Sequence, residues 1–423
     1  MDYEDCREFA ERLDSDDPLA RFRDRFEFPA ERDGRKAVYF CGNSLGLQPK
    51  LAAQYVQEEL SEWARRGVDG HFHGRRPWVS YHRNATAALA SLTGAKPSEV
   101  VAMNTLTVNL HVLMTSFYRP DGRRRKLVIE STAFPSDRYA AASQIRLHGG
   151  DPGADLLEWR PREDRLLYMD DLAGLLQREG DQVELLLLPG VQYYSGQALD
   201  MRAICALVRD HGCKVGFDLA HAIGNVTLDL HEWGPDFAAW CSYKYLNGGP
   251  GAIAGAFVHE RHLAPGKVEQ LLGWWGNNEA TRFEMRDEFD PAPGADVFQL
   301  SCPPVLSFAP VLASLEIFGE AGLPRLIEKS RRLTGYLEWL VQRRCGDRVG
   351  IITPAAERGC QLSLVTRDPS VDARRLFDRL AQLNVVGDWR EPDVIRLAPV
   401  PLYNSYSDVF ECAGRLQQAL DDA

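Results

Sequence analysis

Between residues 126 and 258 the chain repeats one unit: a short, continuously apolar run, a loop, and a helix-like stretch. The runs are Lys126-Leu-Val-Ile-Glu130, Glu184-Leu-Leu-Leu-Leu188, Val215-Gly-Phe-Asp218, Phe237-Ala-Ala-Trp240 and Ala252-Ile-Ala-Gly-Ala-Phe-Val258. Strands apolar on both faces, alternating with helices, predict an α/β fold with a mostly parallel sheet covered on each side. Sites in such sheets gather at the carboxyl ends of the strands. Phe134, Asp137, Asp218, His221 and Lys244 each stand at or just past such an end.

Lys244 follows the apolar Asp236-Phe-Ala-Ala-Trp-Cys241 and precedes Asn247-Gly-Gly-Pro-Gly251, which reads as a turn. An amine held there loses hydration and becomes a nucleophile for a carbonyl, the requirement for a Schiff-base lysine. Taken alone, a lysine snorkelling from a strand end explains it as well. The upstream segment Lys214-Val-Gly-Phe-Asp-Leu-Ala-His221 changes the balance. Alternate strand residues share a face, so Asp218 and Ala220 project together. A carboxylate beside a methyl-sized neighbour suits a flat pyridinium ring, one group for its nitrogen and the other leaving room for its face.

Gly216-Phe-Asp-Leu-Ala-His-Ala-Ile-Gly224, followed by Trp240-Cys-Ser-Tyr-Lys-Tyr-Leu-Asn247, resembles the cofactor region of the kynureninase family, pyridoxal phosphate enzymes of fold type I. The likeness continues through Cys41-Gly-Asn-Ser-Leu-Gly-Leu-Gln-Pro-Lys50, Met103-Asn-Thr-Leu-Thr-Val-Asn-Leu-His111, Phe134-Pro-Ser-Asp137 and Ile395-Arg-Leu-Ala-Pro-Val-Pro-Leu-Tyr-Asn404, and so covers nearly the whole chain. The resemblance implies a large domain with a mostly parallel sheet and a smaller α+β C-terminal domain. It implies pyridoxal 5'-phosphate as a Schiff base on Lys244, with Lys244, Tyr243 and Asp218 catalytic. Leu106 and Thr107 are expected at the cofactor phosphate. Phe134, Pro135, Ser136, Asp137, Asp218, His221, Tyr243, Trp274 and Cys302 are expected around the rest of the cofactor. Asn43, Ser44, His71 and Arg396 are expected beside the substrate.

Each assignment has a plainer counterpart. Asn104 or Thr105 before a helix is an ordinary N-cap, although free amides at a helix start also suit a phosphate. Arg396 on a strand needs a carboxylate, which a structural ion pair supplies as well as a substrate does. Tyr243 can be a core tyrosine. The glycines of Gly42-Asn-Ser-Leu-Gly46 are expected to permit backbone turns closed to other residues. His71-x-His73 has metal-ligand types but no further ligands nearby, so no metal is expected. Trp274 and Trp275, between glycines, are expected at a subunit contact, with the Trp274 indole N–H reaching a phosphate, that of a partner subunit.

The implied reaction is hydrolysis of the side-chain carbon–carbon bond of kynurenine or 3-hydroxykynurenine, giving alanine and anthranilate or 3-hydroxyanthranilate, within tryptophan catabolism and NAD biosynthesis. Two departures from the family pattern stand out: Pro189 where a serine can occur, and Cys302 where Asn or Thr occurs near the substrate ring. With His71 present, the pattern resembles more closely the eukaryotic-type members, which favour the 3-hydroxy substrate. The alternatives are another fold-type I enzyme, such as a cysteine desulfurase or an aminotransferase, and a non-catalytic ligand-binding dimer of the same fold. A desulfurase wants a reactive loop cysteine, and none of the nine stands out as one.

Composition narrows the partners. A net charge of −11 argues against nucleic acid and anionic membranes, without excluding a local positive pocket. The nine cysteines form no close-spaced metal pair and read as reduced core thiols. The charged N-terminal stretch has no apolar run behind it, so a cytoplasmic protein without signal peptide or membrane span is expected. The expected division is an N-terminal segment over 1–50 packing with the small domain, a large domain over 51–305 and a small domain over 306–423, acting as a homodimer with the site at the subunit interface.

Overall fold

The structure is a computed structural model and describes residues 2–264 and 266–422. Seven strands form the main sheet: β1 Val100–Ala102, β2 Lys126–Glu130, β3 Leu156–Trp159, β4 Val183–Pro189, β5 Lys214–Asp218, β6 Phe237–Trp240 and β7 Gly255–Val258, in the order β1-β7-β6-β5-β4-β2-β3. The contacts from β3 through β2, β4 and β5 to β6 are all parallel, whereas β7 pairs antiparallel with both β6 and β1. The apolar run at 252–258 is therefore a strand of reversed direction. Continuous apolarity reports burial on both faces and carries no information about direction.

The two-residue period of the strands divides the core. Leu127, Ile129, Leu185, Leu187, Phe237 and Ala239 point to one face, where they meet Leu110, Leu113 and Phe117 of helix α1 (Leu106–Phe117) and Ala140, Ala141 and Ile145 of helix α2 (Pro135–Leu147). Val128, Leu186, Leu188, Phe217, Ala238 and Trp240 point to the other, against Leu172, Leu176, Ile204 and Val208. Gly216 sits opposite Phe237 in the ladder, and a Cβ there would fall 2.1 Å from the phenyl ring. The glycine is needed because its neighbour's ring occupies the space of a side chain.

A second, antiparallel sheet is formed by β8 Val349–Ile351, β9 Leu362–Thr366, β10 Asp388–Arg390 and β11 Val394–Leu397, in the order β10-β11-β9-β8. Its core includes Leu337, Leu340, Leu362, Leu397, Leu416 and, from the N-terminal segment, Phe9 and Leu13. Leu19, Phe22 and Phe26 instead join the core of the main sheet, so residues 1–50 are shared between the two. Val305–Ala321, expected with the small domain, packs along Lys50–Arg66 and contributes Phe308, Leu312 and Phe318 to the main core. The changeover comes within Leu323–Cys345, where Leu326 belongs to the first core and Leu333 to the second. A helix that is apolar almost all round, as Val305–Ala321 is, must be enclosed by the larger body.

Candidate active site

Four neighbouring strands deliver polar groups to one place. β2 ends at Glu130, β4 at Pro189 and β5 at Asp218, and the loop after β6 carries Tyr243 and Lys244. With Thr105, Leu106, Thr107, Phe134, Ser136, Asp137, Val191, Tyr193, Ala220 and His221 they line a cavity of about 160 Å³. Lys244 and Asp218 thus share one enclosed space, as the strand-end reading requires.

The floor of this cavity is acidic. Asp137 and Asp218 both line the cavity and are near enough for each to act on the other's carboxyl, and Asp218 Oδ1 accepts from the Ala220 N–H at 2.7 Å. Burial pushes both carboxyls up, Asp137 the further because it also feels the Asp218 charge, while Lys244 pulls Asp218 back down. Glu130 is a third buried acid, pushed up to about 8 by burial first and by the Asp218 charge as well. The strand-end rule that singled out Asp218 applies equally to Glu130, which the sequence reading passed over.

The opposite character prevails where helices begin. Thr105 precedes α1 and Phe134 precedes α2, and neither side chain caps its helix. The first-turn N–H groups of α1 therefore have no side-chain acceptor, a favourable setting for an anion. The hydroxyls of Thr107 and Ser136, one from each helix, lie 2.7 Å apart at this end. Pro135 holds the N1 position of α2, where its missing N–H costs nothing.

Between the two ends stands Lys244, its Nζ 3.0 Å from His221 Nε2 and 5.9 Å from the Phe134 ring centre. Burial, followed by the Lys244 charge, pushes the imidazole well below its usual range, so it is neutral and its Nε2 accepts from the amine. His221 Nδ1 is then a buried N–H without a partner. Burial first, and then the neighbouring Cys241, raises the Tyr243 phenol, which keeps it protonated. Gly46 N–H donates to the Tyr243 carbonyl at 2.9 Å. Neither Gly42 nor Gly46 has positive φ, contrary to the expectation from sequence. What both need is the absence of a side chain: a Cβ on Gly42 would lie 2.4 Å from Tyr403 Oη, and one on Gly46 2.4 Å from the Lys244 carbonyl.

Arg396 is fully buried and ion-paired with Asp388, which also binds the Ser44 hydroxyl. Its Nη1 donates to the Tyr193 carbonyl at 2.8 Å. Tyr193, which sequence reasoning also missed, stands edge-on to Phe134 at 5.4 Å and connects this cluster to the cavity. Asn43 is buried beside it, donating to Gln361 at 3.1 Å and leaving its Oδ1 unpartnered.

Of the expected residues, Pro135, Asn43, Ser44 and Arg396 do not line the cavity itself, and three more, His71, Trp274 and Cys302, lie outside it within this chain. His71 Nδ1 donates to the Val68 carbonyl (3.1 Å), and its ring packs on Trp78. The Trp274 indole N–H donates to the Arg282 carbonyl at 3.0 Å, so it is already engaged. Cys302 is exposed in an adjoining recess that shares Thr105 with the cavity.

Comparison with known proteins gives the family and the fold. Residues 38–364 match the Aminotransferase class-V family, and residues 326–416 match the Kynureninase C-terminal domain. A kynureninase of Myxococcus xanthus is 51% identical over 98% of this chain and 97% of its own length. One from Xanthomonas campestris is 52% identical over 96% of each chain. Among solved structures, a cysteine desulfurase of Escherichia coli superposes with a TM-score of 0.76 at 18% identity, over 95% of this chain and 98% of that one. A C-DES variant whose PLP cofactor carries covalently linked glycine gives 0.76 at 16% identity, over 90% of this chain and 96% of that one. With 51% and 52% identity to these relatives over nearly its whole length, and matches to both family models, the chain belongs to the kynureninase family.

Proposed function

We propose that this chain hydrolyses the side-chain carbon–carbon bond of kynurenine or 3-hydroxykynurenine, releasing alanine and the anthranilate, with pyridoxal 5'-phosphate as cofactor. The observation that carries the reading is the shared cavity of Lys244 and Asp218 in a chain half identical to kynureninases. The donor set fits the cofactor: the buried Asp218 carboxyl for the ring nitrogen, an amine in Lys244 for the aldehyde, and uncapped helix starts with Thr107 and Ser136 for the phosphate. Phe134, 42% exposed, is available to cover a ring face.

Bound there, the cofactor supplies an electron sink for negative charge at the substrate Cα. Lys244 would take the substrate Cα proton with its amine, and the neutral His221 beside it keeps that amine positioned. Asp218 would hold the ring-nitrogen proton in place, with Asp137 beside it in the wall of the same cavity. Tyr243, kept un-ionised by burial, is the donor for the departing carbon. Arg396, with Asn43 and Ser44, orients the α-carboxylate, a contribution of proximity rather than chemistry. His71, Trp274 and Cys302 join the site from a partner subunit.

That assembly is a homodimer. Supporting it, Phe72, Trp274 and Phe283 are 52%, 48% and 43% exposed yet contiguous, with ring centres 5.2 Å apart for Phe72 and Phe283 and 5.3 Å for Trp274 and Phe283. Exposed aromatics in contact mark an interface. All nine cysteines are free, in keeping with a reducing compartment such as the cytoplasm. No single helix among the described residues is long and apolar enough to cross a membrane. Released anthranilate fluorescence tests the reaction directly, and comparing turnover of the two kynurenines ranks them. A protein that binds the cofactor but cleaves neither would return the reading to a desulfurase or a binding protein.

A further inference from the structure

Asp388 is held by two guanidiniums at once. Asp388 and Arg390 are two residues apart on β10 and share a face, and Arg396 lies directly opposite Asp388 in the β10–β11 ladder. Oδ2 of Asp388 pairs with Nη2 of Arg396 and, at 3.1 Å, with Nη2 of Arg390. Two cations and one anion leave a surplus of one positive charge. Each guanidinium also keeps a buried donor without a partner, the Nε of Arg390 and the Nε of Arg396. An unpaired buried donor is costly unless an acceptor arrives. Both guanidinium carbons lie within reach of the Tyr193 ring, at 6.0 and 5.9 Å from its centre, and Tyr193 lines the catalytic cavity. Both charges also act on the imidazole of His221, which touches Lys244.

We propose that Arg390 is a second arm of the substrate-carboxylate site, and that Asp388 is the positioning residue that holds the Arg390 and Arg396 guanidiniums side by side. The inference rests on the proposed function, in which an amino acid enters this cavity. A single α-carboxylate balances the surplus charge. Asp388 lets two like charges stand together before that carboxylate arrives. Arg390 is the more adaptable arm, its side chain 34% exposed against 0% for Arg396. It can follow the substrate as it enters, whereas Arg396 is fixed by the Tyr193 carbonyl.

The test uses the cofactor-loaded enzyme and two small amines. L-Alanine carries the α-carboxylate and ethylamine lacks it, and each is titrated by the change in the bound cofactor's absorption. Arg390→Gln is expected to weaken L-alanine about tenfold, the loss of one charge-assisted contact, and to leave ethylamine within about twofold. Arg390→Lys, which keeps the charge, recovers part of the L-alanine affinity and serves if Arg390→Gln folds poorly. With L-kynurenine, KM rises and kcat holds. L-Alanine affinity unchanged in Arg390→Gln, or equal losses for both amines, would overturn the proposal. Wild-type protein that discriminates the amines but does not cleave L-kynurenine would count against the proposed reaction and leave the carboxylate arm standing.

Discussion

Gly46 packs against the backbone of Lys244: a methyl group on it would fall 2.4 Å from the Lys244 carbonyl and 2.2 Å from Asn247 Oδ1. The loop carrying Asn43 and Ser44 is thereby wedged between the lysine and the 400–404 segment, where Gly42 meets Val400 and Tyr403. Gly46→Ala must push the lysine loop away. A displacement of that order costs about a hundredfold in turnover. The expected result is a protein that still folds, judged by its thermal transition, with kcat/KM for L-kynurenine reduced to that degree.

Gly216→Ala tests packing rather than chemistry. Overfilling the contact with Phe237 on the adjacent strand should cost about 1–3 kcal/mol of stability. Denaturant unfolding of the cofactor-free protein measures it. An unchanged midpoint would mean that the strands separate without penalty.

Glu130 sets a pH dependence whose sign follows from its burial. Its carboxyl is raised in the folded chain to about 8, from an ordinary 4.5. Below pH 4.5 both states hold the proton and nothing is lost. Between 4.5 and 8 the unfolded chain releases a proton that the folded chain keeps, so stability falls as pH rises, by about 1.4 kcal/mol per pH unit at most. Glu130→Gln should flatten that part of the profile in cofactor-free protein. A profile with the same slope in the variant would place the titration elsewhere.

Thr107→Ala and Ser136→Ala should each weaken cofactor binding about tenfold by removing one hydroxyl donor from the phosphate end. Equilibrium dialysis against pyridoxal phosphate reads the effect. Pyridoxal, which lacks the phosphate, should bind the variants and the wild type alike.

The parts of the site legible in the sequence were those on consecutive strand ends. Asp218, Lys244, Phe134 and Asp137 follow apolar runs, and burial alone places such ends together. The strands that escaped notice, Val100–Ala102 and Leu156–Trp159, are the two edges of the main sheet. Edge strands are short, and Leu156–Trp159 is only partly buried, so its apolar pattern is diluted by Glu158. Tyr193, Asp388 and Arg390 were missed for another reason. Their significance comes from Arg396, Ser44 and Phe134, which lie far away in sequence and meet them only through tertiary packing. Gly46 was recognised as important but for the wrong cause, because a close backbone approach leaves no local mark that differs from a turn.

The most direct measurement is anthranilate fluorescence released from L-kynurenine by wild-type protein and by Lys244→Ala, both supplied with pyridoxal phosphate. The account predicts release by the wild type and a loss of at least about a thousandfold in the variant. Comparable release by Lys244→Ala, or none by the wild type, would contradict it.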